Sequence, residues 1–337
     1  VEMIKRLFGK TADGKDVYSY VLYNGKIALT VLSLGATVQS VKYDGRDIVL
    51  GYDTVAEYEK NDGYLGAVIG RYANRISGAS FKIGKKKYNL SANEGQNSLH
   101  GGNFGFDKVL WQEDESAENS ITLKYFSPDG EEGYPSGLIV TVKYYIDDCL
   151  FGVRYTAVSN GDTPVNLTNH TYFNLYEEGT IGDQFLTLYA DKYTPVGKSL
   201  LPIGSVLPVK GTPMDFTLVK RIGRDIDSDD EQMVIGDGYD HNFIINGNGF
   251  RKFVEVSSPK AGIKMTGYTD NDCVQFYTGN KLTTRKGKKD NLIARRGGYC
   301  FETQGYPNAV NQPNFPSPIL KKGEVYRTVT EFRLEKY

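Results

Sequence analysis

Two dipeptides near the start of the chain, Asn24-Gly25 and Asp44-Gly45, constrain its fold more than any other local feature. Each stands between runs rich in β-branched and aromatic residues: "DVYSYVLY" and "KIALTVLSLG" flank the first, "ATVQSVKY" and "RDIVLGY" the second. Asn-Gly and Asp-Gly supply the positive φ values of tight hairpin turns, so the first 50 residues read as an antiparallel meander. The same grammar recurs through "ITLKYFSPDGEEGYPSGLIVTVKYYIDDCLFGVRYTAVSN" and "HNFIINGNGFRKFVEVSSPKAGIKMTGYTDNDCVQFYTGN", and "YRTVTEFRLEK" closes as a strand. The 38 glycines and 25 tyrosines suit a strand-and-turn protein. Helical periodicity is scarce. It predicts a short helix over 54–61, "TVAEYEKN", capped by Thr54, and a second over 217–226, "TLVKRIGRDI". No internal repeat, linker or composition break divides the chain. The expectation is all-β: a single domain over residues 1–337, folded as a large antiparallel β-sandwich or barrel with a few short helices.

Bulk properties exclude several function classes. A net charge of −1 gives no field for nucleic acid or an anionic membrane. The basic run "RKGKKD" at 285–290 reads as a solvated loop rather than a phosphate track. No apolar run reaches the ~18 residues of a membrane helix, and no signal-peptide core is seen. Cys149, Cys273 and Cys300 are dispersed and odd in number, which argues against a disulfide framework and for a reducing, cytoplasmic setting. In that setting the sequons at Asn89, Asn166 and Asn169 carry little meaning.

Between the strand runs lie segments of another kind, rich in Asn, Gly, His and aromatics. They are "GRYANRISG" (70–78), "NEGQNSLHGGNFGFDK" (93–108), "NLTNHTYFNL" (166–175), "GYDHNF" (238–243) and "FETQGYPNAVNQPNFPSP" (301–318). Loops on a rigid scaffold are where binding groups usually sit. Together with "VQFYTGN" they offer Asn74, Arg75, His100, His170, Asp240, His241, Gln275 and Glu302, a set suited to a hydroxyl-rich ligand. Tyr172, Phe173 and Tyr306 are candidates to stack on a sugar face. Each residue also has an ordinary reading. His170 alone is either a core histidine with one satisfied nitrogen or a catalyst; Glu302 alone is a solvent-side strand residue; Arg75 alone is a surface ion-pair partner. A metal site finds little support in histidines as dispersed as 100, 170 and 241, and Asp240 and His241, being adjacent on a strand, point to opposite faces. No nucleophile elbow, Walker motif or dinucleotide fingerprint occurs.

These segments, in this order and spacing, resemble the galactose mutarotase (aldose 1-epimerase) family. The resemblance rests on "GRYANRI", "NEGQNSLHGG", "NLTNHTYFNL", "GYDHNF", "VQFYTGN" and "FETQGYPNAVNQPNFPSPIL", and covers essentially the whole chain. It implies a β-supersandwich with an open sugar cleft, and an isomerase interconverting the α and β anomers of galactose, and commonly glucose, without a cofactor. It assigns the general base to Glu302 and the general acid to His170. Substrate binding falls to Asn74, Arg75, His100, Asp240 and Gln275, with Tyr172 beside them and His241 outside the site. The expected partner is a small hexose, with neither nucleic acid nor membrane, and the expected state a monomer or weak homodimer.

The chemistry asks for no more than this. Ring opening removes the proton of the C1 hydroxyl and protonates the ring oxygen, and reclosure on the other aldehyde face reverses both, so one acid and one base suffice. His170 is then expected to be protonated at neutral pH, with Asp240 holding its charge, and His100 ranks second as the acid. If "NLTNHTYFNL" is a strand, Thr168, His170 and Tyr172 share one face, so that His170 and Tyr172 look into the cleft and Asn169 looks away. Three rivals stay open: a hexose-6-phosphate 1-epimerase using Arg71 and Arg75 as a phosphate clamp, a glycoside hydrolase using Asp240 with Glu302, and a non-catalytic sugar-binding module.

Overall fold

In the computed structural model, which describes residues 2–60 and 63–336, both early hairpins form. Asp44 and Gly45 carry φ of 50° and 78° and turn Thr37–Tyr43 directly into Arg46–Asp47. At the other hairpin the turn is shifted by one residue. Only Gly25 is left-handed, at 87°, and Asn24 closes the turn by donating its N–H to Ile27 O while its Oδ1 accepts the Lys26 and Ile27 amides.

The first helix, α1 (Val55–Lys60), starts with a reciprocal cap. Thr54 N–H donates to Glu57 Oε2 at 3.1 Å, and Glu57 N–H reaches Thr54 Oγ1 at 3.4 Å. Asn61, the last residue of the expected helix, lies outside the described residues. The helix expected over 217–226 does not form. Lys220–Arg221 instead pairs as a strand with Phe185 and Leu186. Gly223 donates to Gly182 O at 2.9 Å, and a Cβ there would stand 2.9 Å from that same oxygen. Two backbones cross where a helix would have needed side-chain room. A short helix, α2 (Glu231–Gly236), stands a few residues later, N-capped by Asp230 and ended by left-handed Asp237. At one and a half turns it is too short to announce itself by periodicity.

Two sheets position the site. Among the described residues the larger has nine strands, in the order Gln112–Ala117, Ser120–Ser127, Leu138–Asp147, Leu150–Ser159, Val325–Lys336, Ile263–Thr269, Arg251–Ser258, Phe185–Leu188 and Lys220–Arg221. The second has six: Tyr172–Phe173, Tyr299–Gln304, Cys273–Tyr277, Asp240–Ile244, Lys192–Thr194 and Leu207–Pro208. Neighbouring strands in both run antiparallel. The alternation of side chains decides what each face does. On the three central strands of the six-stranded sheet, Phe243, Val274, Phe276 and Phe301 belong to the core. The rings knit the two sheets together: Phe173 lies 5.1 Å from Phe332, and Phe301 lies 6.2 Å from Phe253. The intervening residues, Asp240, Gln275 and Glu302, point the other way and line a cavity. A third sheet, of five strands from Glu2 to Asp47, adds its apolar face to the same continuous core.

The basic run 285–290 is only partly a solvated loop. Lys286 and Asp290 pair at the surface, but Lys288 inserts its Nζ against Asp47 Oδ2 at 2.7 Å and Gln39 O at 2.6 Å. That buried pair ties the 285–293 hairpin to the five-stranded sheet.

Candidate active site

The alternation that buries the phenylalanines also aligns a polar row. Asn242 pairs across to Gln275, and Gln275 to Glu302, so the three side chains stand side by side on one face of three adjacent strands. Gln275 donates its Nε2 to Asp240 Oδ1 at 2.8 Å, which orients the amide.

His170 enters this face from a break between two short pairings, Thr168–Asn169 and Tyr172–Phe173, so the segment is not one continuous strand. Its backbone is nevertheless fixed: His170 N–H donates to Ala67 O, and its carbonyl accepts from Gly66 N–H. Asn169 pins the break from behind, donating to Gly66 O at 2.9 Å and to the Tyr144 hydroxyl at 3.2 Å while accepting the Thr171 amide. His170 and Tyr172 therefore face the cavity and Asn169 faces the interior, as the alternation predicted. Thr168, expected on the same face, is fully buried and does not reach the cavity.

The opposite wall comes from two tight turns. Asn74 and His100 both have positive φ, 64° and 51°, and they clasp each other: Asn74 N–H donates to His100 Nδ1 at 3.1 Å, and His100 N–H to Asn74 O at 3.0 Å. Because His100 Nδ1 accepts, the neutral ring carries its proton on Nε2 and is a donor there. Arg75 follows, with Glu94 gripping its Nε and Nη2 at 2.6 and 2.7 Å.

All eight residues singled out from the sequence, Asn74, Arg75, His100, His170, Tyr172, Asp240, Gln275 and Glu302, line one open cavity of about 230 Å³. His170 Nε2 and Glu302 Oε1 stand 3.7 Å apart, and Glu302 Oε2 is buried without a partner among the described residues. His241 lies outside, fully buried. Of the proposed stacking rings, only Tyr172 contributes. Its hydroxyl is committed to Gly63 O, so its ring serves as wall. Phe173 belongs to the core, and Tyr306 packs on Phe315 at 4.8 Å away from the cavity. Arg71 is also elsewhere, buried and bound to Pro135 O, Ser136 O and Ser127 Oγ, so no two-arginine phosphate clamp exists.

Burial governs the charges. It pulls His170 down to about 4, with Asp240 offsetting only part, and holds His100 well below the usual histidine value, helped by His170 and Arg75. It pushes Glu302 well above the usual carboxylate range, reinforced by Asp240 and opposed by Arg75. The expectation of a resting imidazolium at His170 is thus corrected. Burial favours the neutral arrangement of the pair, with the proton on Glu302. The donor atoms of His100, His170 and Glu302 lie within 4.8 Å of one another, the one grouping among the described residues that resembles a metal site. The Asn74 clasp speaks against that use, because a metal on His100 Nε2 would have to displace the proton there.

Four polar or aromatic lining residues were not foreseen. Tyr64 stacks on His170 at 5.7 Å and meets His100 edge-on at 4.8 Å; Tyr277 stands edge-on to His170 at 6.2 Å; Glu94 holds Arg75; Lys281 sits on the rim. Glu94 and Tyr277 lay in segments already quoted, "NEGQNSLHGG" and "VQFYTGN"; Tyr64 and Lys281 did not.

The aldose 1-epimerase family model matches residues 18–333. The chain belongs to the aldose 1-epimerase family. It is 40% identical to galactose mutarotase of Homo sapiens, over 98% of this chain and 97% of that protein. It is 34% identical to aldose 1-epimerase of Escherichia coli, over 92% of each. The solved structure of galactose 1-epimerase from Lactobacillus acidophilus superposes with a TM-score of 0.90 at 31% identity, covering 100% of this chain and 99% of that one. As a member of this family the protein is an isomerase that interconverts aldose anomers, on the supersandwich fold its sequence resembled.

Proposed function

We propose that the cavity catalyses mutarotation of galactose, and of glucose, with Glu302 as general base and His170 as general acid. One observation carries the reading: a carboxyl with a free, buried oxygen and an imidazole nitrogen converge within 3.7 Å on the floor of an open cavity. Burial keeps one proton on this pair. Ring opening uses it in the charge-separated form, Glu302 carboxylate with His170 imidazolium. That form differs from the resting one only by transfer of the proton within the pair, so solvent need not supply it. The carboxylate takes the C1 hydroxyl proton and the imidazolium protonates the ring oxygen; closure on the other face returns both. Asp240 favours the imidazolium of His170 but opposes the carboxylate of Glu302, which Arg75 favours, so the two charged neighbours pull on the pair in different senses. His100, a neutral Nε2–H donor, with Asn74 and Gln275, supplies hydrogen bonds to the sugar. Acid–base catalysis of this kind contributes about 10²–10⁴-fold, adequate for a reaction that already proceeds in water.

The reading needs no cofactor, and its partner is a hexose. The proposed state is a monomer or weak homodimer. All three cysteines are free, which suits the cytoplasm, and no described helix is long and apolar enough to cross a membrane.

Glu302→Gln tests the mechanism. It should abolish the acceleration of optical-rotation decay in fresh α-galactose while the sugar still binds. A wild-type rate in that variant excludes the assigned base, and galactose binding by a wild-type protein that never accelerates the decay identifies a sugar-binding module instead.

A further inference from the structure

One ion pair of the cavity is not called for by ring opening. Glu94 meets Arg75 edge-on, Oε2 accepting from Nε at 2.6 Å and Oε1 from Nη2 at 2.7 Å. A two-point pair fixes the plane of the guanidinium as well as its position. Arg75 is almost wholly buried, its side chain 7% exposed against 31% for Glu94. Glu94 is itself held. Its N–H and C=O exchange hydrogen bonds with the backbone of Asn97, whose Oδ1 accepts the Gly78 amide. On its other side Arg75 donates its backbone N–H to Asn74 Oδ1. With Nε and Nη2 committed, Nη1 is the one edge of the fork without a partner among the described residues, and both residues line the cavity.

The pair also has an electrostatic consequence. The Arg75 charge pulls Glu302 downward, against burial and Asp240. A guanidinium facing its own carboxylate acts on Glu302 as one end of a dipole, so its pull is weaker than that of a bare cation at the same place. Freed from Glu94, a long flexible arginine beside two other carboxylates has Asp240 and Glu302 to turn to, and an arginine bonded to Glu302 would occupy the base.

We propose that Glu94 is a positioning residue for this reaction: it holds the Arg75 fork so that Nη1 serves the hydroxyls of the bound hexose and stays off Glu302. The proposal rests on the reading of the cavity as a hexose site. Glu94→Gln keeps the shape of the side chain and removes its charge. Galactose affinity is measured by calorimetry and turnover by polarimetry for wild type, E94Q, R75Q and the double variant. E94Q is expected to weaken affinity and raise KM about tenfold, with kcat changed less. It should also move the limb of the kcat/KM pH profile that reports Glu302 to lower pH, because the unshared Arg75 charge pulls that carboxyl further down. In the R75Q background the same change should add nothing. Glu94→Asp, one methylene shorter and still charged, should raise KM by a smaller factor. A folded E94Q with wild-type KM and pH profile overturns the proposal, as does an E94Q effect that persists undiminished in R75Q. If E94Q does not fold, E94D decides, and a wild-type KM and profile there overturns it. Calorimetry separates the two levels: wild type that binds no galactose defeats the hexose reading, whereas equal binding by wild type and E94Q defeats only the role of Glu94.

Discussion

The three histidines are all buried, and burial depresses the proton affinity of each. Their partners then set different jobs. His100 is clasped by Asn74, which leaves Nε2–H as a donor; His170 faces Glu302 across the cavity; His241 accepts the Asp240 amide on the far face of its strand and does not line the cavity. His241 makes the cleanest stability probe. Burial holds it at about 4, with Asp230 opposing, against about 6.5 in an unfolded chain. A folded value below the unfolded one means stability that is complete above about 6.5 and lost as pH falls through 4, worth about 3 kcal/mol. Glu302 acts in the opposite sense, since its raised value costs stability as pH climbs above the ordinary carboxylate range. The expected outcome is a Tm that drops between pH 6.5 and 4, and a shallower drop in His241→Asn, whose Oδ1 replaces Nδ1 as acceptor. An unchanged slope in that variant would refute the linkage. At this scale the residues that line the cavity were legible in the sequence, because they fall in Asn-, Gly- and His-rich segments that interrupt the apolar strand runs. Their charge states were not, because desolvation depends on what the rest of the chain lays over them. Glu94 escaped for a related reason: its meaning lies in a partner on another turn.

Elements show the same division. Hairpins were legible because a turn is a contract among four consecutive residues, and even there the Asn24-Gly25 turn closed one residue away from the simplest pattern. The helix expected over 217–226 failed because its apolar spacing suited a helix, while Gly223 was needed at a backbone crossing with Gly182 that no local window contains. The "SLHGG" stretch is the instructive intermediate. Its glycines could have been mere turn formers. In the fold Gly101 has φ of 92°, and a Cβ there would stand 2.0 Å from Gly70 O. Both the dihedral and the approach demand glycine, and the same turn aims His100 at the cavity. Gly101→Ala should therefore lower stability by about 3 kcal/mol or more, read as a drop in the denaturation midpoint, and should weaken galactose binding through the displaced His100. A midpoint within about 0.5 kcal/mol of wild type would show that the turn relaxes without cost.

At the scale of the whole molecule the question is whether one domain or several hold the site. The wall residues come from turns near residues 64, 75 and 100, from the 170 segment, and from strands at 240, 275 and 302, so the cavity samples most of the chain. The core beneath it is equally shared. One continuous apolar cluster takes Leu29 and Val41 from the five-stranded sheet, Val142 and Phe332 from the nine-stranded sheet, and Phe276 and Phe301 from the six-stranded sheet. The Phe173–Phe332 and Phe253–Phe301 contacts mean that the six-stranded sheet cannot leave without exposing rings of the nine-stranded one. We infer a single cooperative domain, and the sole tryptophan offers a direct test. Trp111 packs edge-on against Phe106 at 5.8 Å, inside the shared cluster and just before Gln112–Ala117, the outermost strand of the nine-stranded sheet. Its fluorescence reports that region, and far-ultraviolet circular dichroism reports the strands everywhere. In a denaturant titration the two signals should trace one transition with one midpoint and one slope. Separate midpoints would mean that the sheets unfold independently, and then Glu302 and the clasp at Asn74 and His100 would belong to units that open at different denaturant concentrations.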